Sequence, residues 1–306
     1  MIPSWFVFSI ATSFIYSIIN HIDKGLLDKY FKDGGVEVLL IFSAIFAFFG
    51  MPYAIFMEPN VLSIEGQNVF IMLVVAMLNI VLLYCYLKAL EGDEPTVVIL
   101  YYQLIPVIAL GMGYSVLDET ISSREGMAMV VVLLGTTLAS FERTSLNGYR
   151  FKRRTCFFML IATTCWAAEV TLGKVVILSE SVYHSIFWES LMMVLLGVSM
   201  YCMRPKSRRG FSSVWKLNSK YILALMIFSE ALYAVGNIFS AQATALKTVA
   251  IVLLSQPMQT VFVFTLGIFL TIFFPKIYKE RIEPLDWIQK TLAILIAGFG
   301  NYLLIT

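Results

Sequence analysis

The most constraining feature of the sequence is an internal repeat. A pattern in residues 1–142 returns about 150 residues later in the chain. The matched positions are Ile10–Ser13 with Ile161–Thr164, Lys24 with Lys174, Ala89-Leu90 with Ala245-Leu246, Pro106 with Pro257, and Glu119 with Glu280. Self-similarity with one long period indicates a duplicated fold. The chain is therefore predicted to consist of two equivalent halves.

Composition places both halves in a membrane. Hydrophobic residues make up 59% of the chain and charged residues 14%, whereas soluble proteins average about 45–50% and about 25%. A helix needs about 20 mostly apolar residues to cross the hydrocarbon core. Ten such segments are predicted, at residues 4–22, 37–57, 68–90, 96–117, 124–141, 156–178, 183–203, 221–243, 248–274 and 285–305.

Five helices per half determine how the halves are related. Because five is odd, the second half must enter the membrane from the side opposite to the first. The predicted fold is an all-α membrane protein with ten transmembrane helices, arranged as two inverted five-helix repeats. Residues 1–142 form the first repeat, 143–155 a basic connecting loop and 156–306 the second repeat.

The distribution of Lys and Arg predicts the orientation of the chain. The loops after odd-numbered helices carry nineteen of these residues, whereas the opposite face carries only Arg124 and Lys247. Positive loops remain in the cytoplasm, so both termini are predicted to lie outside. The expected location is the bacterial cytoplasmic (inner) membrane.

Several functions are disfavoured by what the sequence contains. The four cysteines lack metal-ligand spacing and the chain has two histidines, so neither a metal site nor a cofactor is predicted. A net charge of +2 gives no reason to expect nucleic acid as a partner. No glycine-rich, lysine-ending phosphate loop is present, which argues against ATP-driven transport.

Two acids near the midpoints of their spans are the first candidates for a site. A charged Asp, Lys or Arg at a helix centre costs about 2.5–3.5 kcal/mol to insert, so ionisable residues at this depth indicate function. Glu230, Tyr233 and Asn237 follow the spacing i, i+3, i+7 and share one helix stripe. This stripe is predicted to line a cavity where Glu230 binds a cationic group or a proton. The alternative is a neutral glutamate that locks two helices together. Glu169 is open to the same two interpretations, and Trp166 one turn before it is either a cavity wall or core packing.

The first helix and Lys174 suggest further contacts. Tyr16 shares one polar face of the first helix with Ser13, Asn20, Asp23 and Lys24, which makes this face a candidate wall of the site. Because the polar end of the helix is near the membrane surface, the favoured alternative is that the end residues are solvated at the interface. Those interfacial residues are His21, Asp23 and Lys24. Lys174 occupies the position equivalent to Lys24 and is predicted to favour an anionic or zwitterionic solute, unless it too extends to the surface.

Interrupted helices recur at matched positions. Gln103 and Pro106 in the fourth helix correspond to Gln256 and Pro257 in the ninth. Proline removes a backbone donor, and a broken helix is tolerated in a membrane where neighbours or a cavity satisfy the freed carbonyl. Matched breaks point toward a binding site, although simple kinks are the alternative. Asn79, at the centre of the third helix, joins this group more weakly.

Acidic residues also precede the last helix of each half. Glu119 and Glu280 stand at the heads of the fifth and tenth helices. A carboxylate there is favourable to the helix N-terminus, so each is predicted to cap the helix that follows it.

These motifs resemble the EamA family of the drug/metabolite transporter superfamily. The residues that carry the resemblance are Tyr84–Pro106 with Ala89-Leu90 and Thr96, then Glu119 and Gly126–Leu138, repeated as Ala245-Leu246, Thr248, Gln256-Pro257 and Gly267–Glu280. The resemblance implies two inverted five-helix halves and a secondary transporter or exporter of small metabolites. Many relatives are expected to keep both termini in the cytoplasm, contrary to the charge distribution here.

The sequence therefore predicts a transporter, not an enzyme, that alternates access around a cavity built from helices 1, 3, 4, 6, 8 and 9. Its expected partners are a small solute, amino-acid-like or an organic acid, and membrane lipid. Export is the expected direction, and the protein is expected to be a monomer or homodimer. The alternative is a membrane-embedded enzyme or carrier that acts on a lipid or lipid-linked substrate.

Overall fold

The computed structural model describes residues 2–29, 35–93, 95–139, 143–144, 148–149, 153–203, 220–255 and 258–273, with a few positions beyond residue 291. Regular structure in these residues is helical, apart from one short antiparallel strand pair, Arg143–Thr144 with Gly148–Tyr149. This pair falls within the predicted connecting loop. The predicted all-α class is confirmed.

Seven helices are described in the first half of the chain. They are α1 (Ser4–Lys29), α2 (Gly35–Phe46), α3 (Gly50–Met57), α4 (Gly66–Gly92), α5 (Pro95–Leu100), α6 (Ile105–Leu117) and α7 (Ser123–Ala139). A 3₁₀ turn at Ala47–Phe49 joins α2 to α3, and another at Tyr101–Leu104 joins α5 to α6.

The second half contributes five helices over its described residues. They are α8 (Arg153–Ser179), α9 (Val182–Met203), α10 (Lys220–Leu246), α11 (Val249–Leu254) and α12 (Met258–Phe273).

Seven stretches of the described residues are long and apolar enough to cross a membrane. They are Ser4–Asp28, Val36–Met57, Gly66–Gly92, Arg153–Ser179, Val182–Met203, Lys220–Leu246 and Val249–Phe273. The predicted spans at 96–117 and 124–141 are also helical, but the first is broken into α5 and α6 and the second has 17 residues. The predicted span at 285–305 lies almost wholly outside the described residues. The chain is thus an integral membrane protein, and the count of ten helices stays a prediction.

Helices from the two halves pack against each other in a reciprocal way. α4 runs along α8, and α1 runs along α10. In the repeat α8 is equivalent to α1 and α10 to α4, so each pair becomes the other when the halves are exchanged. Such an exchange is what a two-fold relation requires, whereas the inverted orientation of the halves stays a prediction.

Close approach of α1 and α10 depends on a glycine. A Cβ atom added to Gly236 would lie 2.4 Å from Tyr16 Cε1. Thr12 Oγ1 also donates to the Gly236 carbonyl at 3.3 Å. Small residues at helix contacts allow this spacing in membranes.

α4 and α8 are connected at both ends. At one end Glu180 accepts hydrogen bonds from the Glu65 backbone amide at 3.0 Å and from Asn68 Nδ2 at 2.8 Å. These donors favour the carboxylate and hold the pKa of Glu180 below its ordinary range. At the other end Thr155 donates to Asp93. These contacts join both ends of the α4–α8 pair, and both helices line the cavity between the halves.

Candidate functional site

A cavity lies between the two halves of the chain. It contains about 1100 Å³ of space unoccupied by protein atoms. Its walls come from α1, α2, α4, α8, α9 and α10, with single residues from the 3₁₀ turn before α6 and from α12. Part of this space is open to solvent. A concave site lined mainly by apolar side chains with a few polar groups is typical of small-molecule binding.

Four carboxyl groups line this cavity. Asp23 comes from α1, Glu169 from α8, Glu189 from α9 and Glu230 from α10. Among the described residues that line the cavity there is no lysine, arginine or histidine. The site is therefore strongly acidic whenever these groups are ionised.

Asn79 of α4 connects the acids at the centre. Its Nδ2 atom lies 3.2 Å from Glu169 Oε1, 3.4 Å from Glu189 Oε1 and 3.1 Å from the Tyr233 hydroxyl. An amide nitrogen carries two donor hydrogens, so these three acceptors compete for two bonds. Glu169 is only 9% exposed, and its Oε2 atom has no hydrogen-bond partner in the described part of the chain.

Other polar groups of the lining form three further contacts. Ser43 donates to Glu230 Oε1. On the α1 side, Tyr86 donates to Asn20 Oδ1 at 2.7 Å, and its hydroxyl lies 3.4 Å from Asp23 Oδ2. Each carboxyl of the cavity thus has a neutral hydrogen-bonding neighbour from another helix.

Aromatic rings form one wall of the cavity. Tyr16 stacks with Tyr233 at a centroid distance of 5.8 Å, and Trp166 lies 6.1 Å from Tyr16. Tyr102 meets the edge of Trp166 at 4.8 Å, and Tyr86 stacks on Tyr102 at 6.5 Å. The Tyr16 hydroxyl is fixed by donating to Asn237 Oδ1 at 2.5 Å. Aromatic rings and acidic groups therefore line the same cavity.

The structure brings together most of the candidate residues from the sequence. Six of them line the cavity and one bonds to its acids. The six are Tyr16, Trp166, Glu169, Glu230, Tyr233 and Asn237, and the seventh is Asn79. Their role in binding stays a prediction.

Lys174 has a different environment from the one expected. Its Nζ atom donates to Glu119 Oε1 and to the Lys247 carbonyl, both at 2.6 Å. Its side chain is buried and does not line the cavity. Because Glu119 already neutralises this ammonium, the geometry gives no support to the prediction that Lys174 selects an anionic or zwitterionic solute.

The prediction that Glu119 caps the fifth helix was wrong. Glu119 Oε2 accepts the Val249 backbone amide at 2.9 Å and so caps α11 in the other half. The start of α7 is satisfied instead by Ser122 and Glu125, whose side chains and backbone amides bond reciprocally as a capping box. Glu280 lies outside the described residues.

The fourth helix is interrupted near Pro106, as predicted. Pro106 occupies the first turn of α6, directly after the 3₁₀ turn, where its missing amide breaks no helical bond. In the ninth span α11 ends at Leu254 and α12 begins at Met258, and Gln256 and Pro257, where a break was predicted, lie outside the described residues. The Gln103 side chain lies outside them as well. Tyr102, in the 3₁₀ turn before α6, and Gln259, in the first turn of α12, line the cavity.

The prediction that the end of the first helix is solvated was also wrong. His21 is buried and its Nε2 lies 2.9 Å from the Val263 carbonyl. Asp23 lines the cavity. Lys24 donates to the Leu90 carbonyl at 3.0 Å and pairs with Asp28 at 3.1 Å.

Glu189 is the main residue that sequence reasoning missed. It lies inside the predicted span 183–203, so the rule that singled out Glu169 applies to it equally. Glu189 was not selected because it lies nearer to one end of the span than to its midpoint. In the described residues, no group of three histidine, cysteine, aspartate or glutamate side chains is arranged to hold a metal ion.

Comparisons with known proteins agree with this architecture. No curated protein matches the chain. A crystal structure of a protein resembles it with a TM-score of 0.67 and 13% sequence identity, covering 99% of this chain and 96% of that one. At this identity the likeness shows the fold alone. The family model of EamA-like transporters matches residues 3–141. Residues 3–141, most of the first predicted repeat, are therefore similar to EamA-like transporters.

Proposed function

We propose that this protein is a secondary transporter that binds a small solute in the acidic cavity and moves it by alternating access. The observation that carries the proposal is the convergence of four carboxyl groups from α1, α8, α9 and α10 on one space inside apolar helices. Ionisable groups at membrane depth are expensive and mark solute or ion pathways. The family match over residues 3–141 supports the same function.

The packing of the halves supports the mechanism. The α1–α10 and α4–α8 pairs exchange under the repeat, and the cavity lies between them. In transporters built from inverted repeats, rocking of one unit against the other exposes a central site to each side in turn. Glu230 or Glu169 supplies proton coupling where the transport cycle uses it, because both lie in the cavity.

The proposed solute is amino-acid-like, and the proposed direction is export. Of the two solute classes expected from the sequence, an amino acid carries an ammonium group that the carboxyls can bind, whereas an organic acid carries none. In this proposal both termini lie on the non-cytoplasmic side of the membrane, as the distribution of Lys and Arg favours.

Flux into proteoliposomes tests the proposal. Purified protein is reconstituted, and uptake of pooled radiolabelled amino acids, amines and organic acids is compared with that into empty liposomes. Glu230→Gln is expected to abolish uptake or its pH dependence, whereas Glu65→Gln, which changes an exposed carboxyl outside the cavity, should retain both. Uptake equal to that of empty liposomes for every pool would overturn the proposal.

The same assay separates transport from the alternative of an enzyme acting on lipid-linked substrates. A transported solute is recovered from the lumen chemically unchanged. Conversion of the added compound, with none of it accumulating, would favour the enzyme.

A further inference from the structure

We infer that the cavity recognises an organic cation, with an ammonium group held by Glu169 and Glu189 and an apolar body against Tyr16, Trp166 and Tyr233. This inference rests on the proposed function, since it takes the cavity as the solute site. It keeps the ammonium group of the amino-acid-like class but disfavours its carboxylate, so the solute it points to has a net positive charge.

The first argument is the proximity of two carboxyl groups. One oxygen of Glu169 and one of Glu189 lie within 3.4 Å of the same Asn79 nitrogen. Two anions so close together repel strongly inside a protein, where the dielectric constant is far below that of water. A positive charge between them relieves this repulsion, and the described lining contributes no basic side chain.

The second argument is an unused acceptor. Glu169 Oε2 is buried and has no hydrogen-bond partner in the described residues, although Glu169 lines the cavity. A buried acceptor without a donor is costly, and a carboxylate oxygen costs the most. A ligand that donates N–H groups satisfies it with a charge-assisted bond.

The third argument is the aromatic wall next to these acids. Tyr16 and Tyr233 are stacked at 5.8 Å, with Trp166 beside Tyr16. Ring faces attract cations and also cover the hydrocarbon part of an amine. Carboxylates and ring faces together match an alkyl or aryl ammonium ion better than a bare inorganic ion.

The lining also disfavours the other charge classes. An anion would meet four carboxyl groups and no cationic partner in the described lining. The carboxylate of a zwitterion would face the same environment. Lys174 cannot compensate, because Glu119 and the Lys247 carbonyl already bind its ammonium.

Three compounds that share one ring but differ in charge test the inference. Phenethylamine is a cation, phenylalanine a zwitterion and phenylacetate an anion. Isothermal titration calorimetry with the full chain in detergent measures binding of each. Phenethylamine is expected to bind most tightly and phenylacetate not at all.

Cavity variants identify where the amine binds. Glu169→Gln and Glu189→Gln keep the size of the side chain and are each expected to weaken phenethylamine binding about 10- to 100-fold. Glu65→Gln, which changes an exposed carboxyl outside the cavity, is the matched control and should bind as the wild-type protein does. Each variant is used only when its gel-filtration profile and thermal midpoint match the wild type, and Glu230→Gln substitutes for one that fails.

The outcomes separate this inference from the proposed function. If phenylalanine or phenylacetate binds as tightly as the amine and the cavity variants abolish that binding, the cationic class is wrong while the transporter remains. Absence of phenethylamine binding also overturns the inference, and liposome flux then decides the transporter separately. Binding that no cavity variant changes would place the site elsewhere and overturn both.

Discussion

Removing one member of the Glu119–Lys174 ion pair should strongly destabilise the protein. The Lys174 and Glu119 side chains are 8% and 10% exposed, and their charged atoms lie 2.6 Å apart. Loss of one partner from a buried pair costs about 3–5 kcal/mol, because the other charge stays buried without compensation. In Lys174→Met the Glu119 carboxylate retains only its bond to the Val249 amide. We therefore expect the free energy of unfolding to fall by about that amount.

A double-mutant cycle isolates the pair. The cycle uses Lys174→Met, Glu119→Gln and the double variant, with unfolding in detergent micelles followed by fluorescence as denaturant is added. The double variant should be more stable than the sum of the single losses predicts, by about 2 kcal/mol or more. The control is Lys88–Glu91, a pair at 3.0 Å whose side chains are 24% and 29% exposed. Its coupling should stay below about 1 kcal/mol. Equal coupling in the two pairs would refute the argument from burial.

Two further predictions concern helix packing and the loop end of α8. Gly236→Ala should destabilise the protein by about 1–3 kcal/mol, because the new Cβ would lie 2.4 Å from Tyr16 Cε1, whereas Gly111→Ala, with nothing within 4 Å, should not destabilise. Unfolding in denaturant measures both, and equal losses would contradict the packing argument. Glu180→Gln should reduce stability at neutral pH and have little effect in strong acid. The reason is that the bond from the Glu65 amide lowers the pKa of Glu180 in the folded protein. The ionised carboxylate therefore stabilises the fold above the ordinary glutamate pKa, and this stabilisation disappears as pH falls through the lowered pKa. A loss of stability that does not vary with pH would contradict this assignment.

The membrane fold was largely predictable because one physical requirement dominates it. Each crossing needs about 20 apolar residues in a row, and this requirement is visible in the sequence. Seven of the predicted spans coincide with helices long and apolar enough to cross. The fourth span was harder, because its hydropathy is continuous while its backbone is divided by a 3₁₀ turn before Pro106.

The candidate site was predictable only where depth in the membrane was informative. Glu169 and Glu230 were found because a charge at mid-span is costly wherever it points. Depth does not reveal whether a side chain near a helix end faces water, lipid or another helix. His21 and Asp23 were for this reason expected to be solvated, although one is buried and the other lines the cavity.

Contacts between the halves could not be predicted from any local sequence pattern. Glu119 and Lys174 are 55 residues apart in sequence. Each is reasonable alone as a helix cap or as a lysine that extends to the surface. Their pairing depends on how α8 packs against α6, which is a property of the tertiary structure.

Helix α8 joins the cavity to this ion pair. Glu169 and Lys174 are five residues apart on one continuous helix, an axial separation of about 7.5 Å. A solute that moved α8 at Glu169 would also move Lys174 relative to Glu119, which belongs to the other half. Linkage between two sites is reciprocal in free energy. Breaking the ion pair changes the free energy of amine binding by some amount. Binding of the amine must change the free energy of the ion pair by the same amount. Two experiments therefore measure the same coupling free energy. One is the double-mutant cycle repeated with phenethylamine present, and the other is titration of Lys174→Met with phenethylamine.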